Sequence, residues 1–217
     1  MSDFSAGFFT LSENKEKVYP FLTDDEIFIQ YNESWVGKLS EMDMGTDYLP
    51  QTLALSKEVP LLHIIHAEDH GFVIRILHEG DVKFHFDASY EVGADLYTEI
   101  GNELYGCEWW ADADISKIDE RHQKIKVEWA KQLEEQGLLN AFFANINEDS
   151  LKAFQIFGIT DEALQNINQI LTVKNFSQDS HKMVYDLLDC LGLVGFSFVS
   201  HQYASYGDDD RFTVLNP

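Results

Sequence analysis

The stretch that most constrains this chain is Val59 to Ala88, VPLLHIIHAEDHGFVIRILHEGDVKFHFDA, which holds five of the eight histidines. Val82, Phe84 and Phe86 alternate with Lys83, His85 and Asp87, so a strand there has one apolar and one polar face. Phe72, Ile74 and Ile76 share a parity in the preceding run, and Leu61 to Ala67 supplies a third strand. Turn length decides how these faces match. A two-residue turn at Glu79-Gly80 sets Leu77 opposite Val82 and carries Arg75 into the apolar face. A three-residue loop, His78-Glu79-Gly80, shifts the register by one. Ile76 then faces Val82, Ile74 faces Phe84 and Phe72 faces Phe86. The second register is expected because it matches three apolar pairs and leaves Arg75 beside Lys83, His85 and Asp87.

The rest of the chain is read in the same way. Residues 1–22 carry Phe4, Phe8, Phe9 and Phe21 and are expected to pack on the body. Glu26–Tyr31 and Ser34–Leu39 read as a hairpin around Asn32-Glu33, and residues 40–58 read as loop, pinned by Leu53 and Leu55. After Ala88 the period changes. Val92, Leu96, Ile100 and Leu104 predict a helix over 92–105 that stops at Gly106. Ser116 is the expected cap of a second helix, with Ile118, His122, Ile125, Trp129 and Leu133 on one face and Gly137 as its end. Lys124–Glu128 and Lys131–Glu135 are the expected ion pairs on its other face. Further helices are expected over 138–146, 148–157, 161–171 and 179–191. Gly195–Ser200 and Arg211–Leu215 are expected as a closing strand pair.

Strands followed by helices make an α+β pattern, not repeated βαβ units. The expected fold is an antiparallel sheet in the N-terminal half, with a mainly helical C-terminal half closed by a short strand pair. Residues 1–217 are expected to form one compact unit. The alternative division is a sheet-rich lobe over 1–112 and a helical lobe over 113–217.

Composition narrows the functional classes. The net charge is −23, and it is not a tail: residues 1–100 carry −13 and residues 101–217 carry −10. Such a surface repels nucleic acid and anionic membranes and favours basic partners. The same acidity also serves plain solubility in many bacterial-type cytosolic proteins. Cys107 and Cys190 read as buried free thiols in a reducing compartment. No apolar run approaches the ~18 residues needed to span a bilayer, and the N-terminus lacks the basic and apolar regions of a signal peptide. A cytoplasmic location is therefore expected, with no membrane and no nucleic-acid partner.

Three constellations carry the functional expectations. His63, His66, Glu68, Asp69 and His70 offer imidazoles and carboxylates of the kind a divalent cation takes, which raises a metal-assisted hydrolase. Strand alternation argues against it, because His63 and His66 then point to opposite faces. Trp109 and Trp110, with Tyr203, Tyr206, Asp208, Asp209 and Asp210, form the best candidate contact surface, since amphipathic aromatics beside charges are common at interfaces. Of two adjacent tryptophans, one is expected in the core and one half exposed. A pocket between the meander and the 116–135 helix would suit a small-molecule-binding regulatory domain. No P-loop, GxGxxG or GxSxG motif is present, and no cofactor is expected. The leading expectation is a non-enzymatic interaction module, immunity- or inhibitor-like, for a basic protein partner.

Overall fold

The computed structural model describes residues 4–41, 50–67, 70–112, 114–205 and 211–215. Seven antiparallel strands form one sheet in the order β6-β5-β4-β1-β3-β2-β7. They are β1 Phe4–Leu11, β2 Ile27–Gln30, β3 Trp35–Leu39, β4 Leu61–Ala67, β5 Gly71–His78, β6 Asp81–Ser89 and β7 Thr213–Leu215. The described helices are α1 Lys15–Val18, α2 Pro50–Glu58, α3 Ala94–Tyr105, α4 Ile115–Gln136, α5 Asn140–Phe143, α6 Glu148–Leu151, α7 Asp161–Ile170, α8 Val173–Cys190 and α9 His201–Ser205. Strands dominate the N-terminal half and helices the C-terminal half, so the α+β class stands.

The pleat sorts the sheet into two faces. On one, Phe9, Trp35, Leu62, Ile64, Phe72, Ile74, Ile76, Phe84 and Phe86 pack in a single apolar cluster with helical residues from Leu133 to Leu188. Phe84 meets Phe154 with ring centres 4.8 Å apart, and Phe86 meets Phe143 at 5.1 Å. Truncating either buried strand phenylalanine to alanine costs about 3–5 kcal/mol. Phe9 lies across Gly37 of the neighbouring strand, where a Cβ would stand 2.6 Å from the ring, so only glycine admits it. The other face is covered near its middle by the segments around α1 and α2, through Phe8, Val18, Phe28, Val36, Leu55, Val59, Leu61 and Leu77.

That second face carries a cross-strand row in which neighbours are direct partners: Phe28, Lys38, Phe8, His63, Arg75 and His85. Lys38 is buried and paired with the buried carboxylate of Glu26. Its ammonium also lies 5.5 Å from the centre of the Phe8 ring, and that ring stacks on His63 at 4.2 Å.

The meander is present with Phe84 and Phe86 on the core face as expected, but Val82, expected beside them, is 39% exposed opposite Leu77 on the other face, and the partners are shifted. Glu79 and Gly80 both have left-handed backbones, φ 58° and 77°, and form a two-residue turn that sets Leu77 opposite Val82. That turn alone would drive Arg75 into the core. A bulge leaves Lys83 without a partner and restores the parity. Ile76 therefore faces Phe84, Ile74 faces Phe86 and Phe72 faces Ala88, two residues beyond the expected register.

Other expectations need correction. The N-terminal segment does more than pack on the body: β1 is the central strand of the sheet. Residues 50–58 form α2 where a loop was expected. Residues 195–200 are not a strand. Val199 instead accepts a backbone bond from Ala6, at the edge where β3 ends, and β7 pairs with β2. The helix expected from Asp179 is present: α8 breaks at Asp179, whose backbone is non-helical and whose carboxylate accepts from the Lys182 N–H as the cap of the stretch to Cys190, and only the helical stretch from Val173 to that break was not expected. Asp114, not Ser116, caps α4: its carboxylate accepts from the Ser116 N–H and hydroxyl. In place of the expected Lys124–Glu128 and Lys131–Glu135 pairs, Lys131 lies 3.6 Å from Glu128, which also accepts from the Gln132 amide.

Candidate functional site

The corner between α3 and α4 is built around Trp109. Its side chain is 6% exposed and packs with Ile100 and Ile125. Gly101 makes room for it, since a Cβ there would lie 2.3 Å from the indole nitrogen. Gly106, at φ 84°, ends α3 and turns the chain outward, so Cys107 is exposed where a buried thiol was expected. Cys190 is half-buried, and desolvation raises its thiol pKa.

Arg121 fastens the corner. It donates to the Trp109 carbonyl at 3.0 Å and to the Asp112 carboxylate at 2.8 Å, and its guanidinium lies 5.7 Å from the Tyr105 ring centre. The Asp114 backbone N–H, with Lys117 and Arg121 nearby, holds the Asp112 carboxyl below its usual range against the opposing effect of burial. Behind it, the Tyr97 hydroxyl lies 2.8 Å from His122 Nδ1.

Leu104, Tyr105, Trp110 and Ile115 stay in solvent around this corner, as does Val127 farther along α4. Trp110 and Leu104 are each 52% exposed. The pair of tryptophans thus splits as expected, one in the core and one outside. Along α3, Asp95, Glu99 and Glu103 recur every four residues and are all exposed, and Glu91 continues the line beyond the helix, bonded to His70 at 2.9 Å. Phe84 to Ser116 is the longest run of the chain without Lys or Arg, and it contains eight acids. Elsewhere lysines are engaged locally: Lys83 with Glu79, Lys117 with Asp114, Lys152 with Asp149, Lys182 with Asp186. Among the described residues, Asp95, Glu99 and Glu103 have no such neighbour.

The remaining candidates are scattered. His63 is buried against Phe8 on one face of the sheet. His66 is buried on the other, with ring centres 5.4 Å from Tyr185 and 6.4 Å from Tyr90. His70 is at the surface. The three imidazoles therefore do not share one site, and among the described residues no three His, Cys, Asp or Glu side chains stand together as metal ligands. Glu68 and Asp69 lie outside the described residues, as do Tyr206 and Asp208–Asp210. Tyr203 packs on Phe198 at 5.2 Å in α9, which contacts β2, whereas Trp109 and Trp110 belong to the α3–α4 pair that follows β6. The space expected to form a pocket under α4 is filled by Leu133 and by Trp129, which donates to the Gly93 carbonyl at 2.8 Å. A shallow, open groove lies instead between α7 and α8, lined by Asn166, Gln169, Ile170, Asp186 and Cys190.

Comparison with known proteins finds no matching family, no similar curated protein and no similar solved structure. Among the described residues, no helix is long and apolar enough to cross a membrane.

Proposed function

We propose that this chain is a non-enzymatic protein-interaction module, of the immunity or inhibitor kind, that docks a basic protein partner on α3 and the Trp110 corner. The observation that carries the reading is the run of exposed carboxylates Asp95, Glu99 and Glu103 on α3, the helix that also carries exposed Leu104 and Tyr105 and leads into exposed Trp110. Exposed apolar side chains rimmed by charge are the usual form of a docking patch. Tryptophan and tyrosine are the side chains on which binding energy concentrates. Like charges four apart on a helix oppose it by a few tenths of a kcal/mol per pair. A cationic partner removes that opposition, and the net charge of −23 steers it in from a distance. Arg121 holds the corner in place before binding, which lowers the ordering cost. A cytoplasmic, reducing setting suits exposed Cys107.

The test compares the wild-type chain with Trp110→Ala and with Asp95→Lys/Glu99→Lys, each immobilised and exposed to extract of the native host across a salt series. The expected result is a basic protein retained by the wild type, released as salt rises, and lost from both variants. Equal retention by all three, or recovery of nothing at low salt, counts against the reading.

A further inference from the structure

We propose that the β6 edge pairs with the β6 edge of a second copy of this chain, antiparallel and about a two-fold axis normal to the sheet. This surface is separate from the α3 corner and does not depend on the docking of a basic partner.

The two edges of the sheet differ. β7 has three residues, too few to template another strand, whereas β6 has nine and runs for about 30 Å. Among the described residues, no backbone–backbone hydrogen bond leaves β6 on the side away from β5. Long open edges are usually blunted by proline, by an inward charge or by a bulge. Here the bulge at Lys83 disturbs only the end nearest the turn. From Phe84 to Ser89 the strand is regular, contains no proline and directs no charge into the core. Its helix-side residues Phe84, Phe86 and Ala88 are already covered. Its other face is open, with His85 and Asp87 exposed beyond the part of the sheet that α2 covers.

The sequence of this edge is complementary to itself. A two-fold axis normal to the sheet keeps the helical layer on the same side in both copies and pairs residues of equal parity. Centred on Phe86, the register sets Phe86 opposite itself, Phe84 opposite Ala88 of the second copy, and His85 opposite Asp87 of the second copy, twice. Cross-strand imidazole–carboxylate pairs of this kind favour pairing, while Phe84, Phe86 and Ala88, already buried in each copy, only have to fit. Centring on His85 instead would oppose two imidazoles and draw in Lys83, which the bulge displaces. His85 Nε2 already lies 3.8 Å from Asp87 Oδ2 within one chain, so the groups occupy one face and are placed to reach across. The charge of −23 on each copy opposes association. Salt screens this long-range repulsion beyond about 8 Å at physiological strength while sparing groups in contact, so the dimer forms more readily as salt rises from very low values.

Light scattering and sedimentation of the full chain from micromolar to millimolar concentration, with moderate salt, test this. The mass is expected to rise from 24.9 kDa toward twice that value. His85→Lys, which faces Asp87 with a full charge, is expected to tighten association about fivefold, and His85→Asp to weaken it by a similar factor. His85 also stands opposite buried Arg75 in its own chain, so the melting temperature of each variant is measured and association is compared where both are fully folded. Hydrogen exchange is expected to slow with concentration in residues 84–89. A mass of 24.9 kDa at every concentration overturns the proposal, as does a dimer indifferent to both variants or one that protects a segment other than β6.

Discussion

Gly101→Ala sets two effects of opposite sign against each other. Within a helix, alanine in place of glycine is favourable by about 1 kcal/mol, so propensity alone predicts a stabilised α3. The packing predicts the reverse. A Cβ at 101 would lie 2.3, 2.5 and 2.8 Å from three atoms of the Trp109 indole. All three belong to one rigid ring, so no rotation of a flexible tip relieves the overlap. The ring is boxed in by Tyr97, Trp110 and His122, with centres 5.8, 5.6 and 5.0 Å away. Overpacking of this sort costs about 1–3 kcal/mol, and outright expulsion of the tryptophan about 3–5 kcal/mol. Subtracting the propensity gain leaves a net loss of up to about 2 kcal/mol if the ring shifts and about 2–4 kcal/mol if it is expelled, and the rigid, boxed-in ring puts the outcome on the destabilising side. In a chain of this length each kcal/mol lost lowers the melting temperature by about 2–4 °C. Urea unfolding followed by tryptophan fluorescence and circular dichroism measures it. Trp109→Leu removes the ring, and in that background Gly101→Ala should turn stabilising. A wild-type-like Gly101→Ala protein, or one destabilised equally in both backgrounds, would refute the argument.

Three further outcomes follow from other contacts. Lys38→Met leaves the buried Glu26 carboxylate without its cation and is expected to cost about 3–5 kcal/mol, whereas Lys38→Met with Glu26→Leu recovers most of the loss in the same unfolding assay. Asp114→Ala is expected to cost about 1 kcal/mol and Ser116→Ala clearly less, because the carboxylate, not the hydroxyl, caps α4. Burial raises the Tyr31 phenol to about 12, with its hydroxyl donating to the Val194 carbonyl at 2.8 Å, and burial also holds Tyr90 well above its usual range. The unfolded chain loses these protons near pH 10 and the folded chain keeps them. Stability is then fully present below pH 10 and falls as pH rises toward about 12. Ultraviolet titration should show late-ionising tyrosines, and Tyr31→Phe should flatten the fall.

How far the sequence foretold this molecule depends on which physical signal each element carries. The meander was legible because its alternation has period two and its turn contains glycine. The bulge at Lys83 was not, since one extra residue leaves no mark in an alternating pattern; the two-residue turn moved the partners by one and the bulge moved those beyond it by one more. β1 was missed for the opposite reason. It is buried on both faces, so Phe4 to Leu11 has no alternation to read, and Gly7 and Ser5 lower its strand propensity. α2 buries Thr52, Leu55 and Ser56, a face too polar to register as amphipathic. The cap of α4 was placed two residues late because aspartate and serine are near-equal caps, and their own hydrogen bond decided between them.

The site was legible in a similar, partial way. That His63 and His66 diverge follows from strand period alone, and so does the weakness of a shared metal site. The tryptophan pair was read correctly, but its scaffold was not, because Arg121 reaches Trp109 and Asp112 across a turn. The α3 stripe was present as spacing and went unread, since a net charge is a sum and carries no positions. Asp95, Glu99 and Glu103 repel one another along the helix they stand on, so α3 must be held by its other face. Ile100 and Gly101 are buried there under Trp109, with Tyr97 tied to His122. The packing that fixes the helix is thus the packing that presents Trp110. A substitution at Gly101 is expected to weaken both the fold and the docking surface, whereas Trp110→Ala weakens only the second.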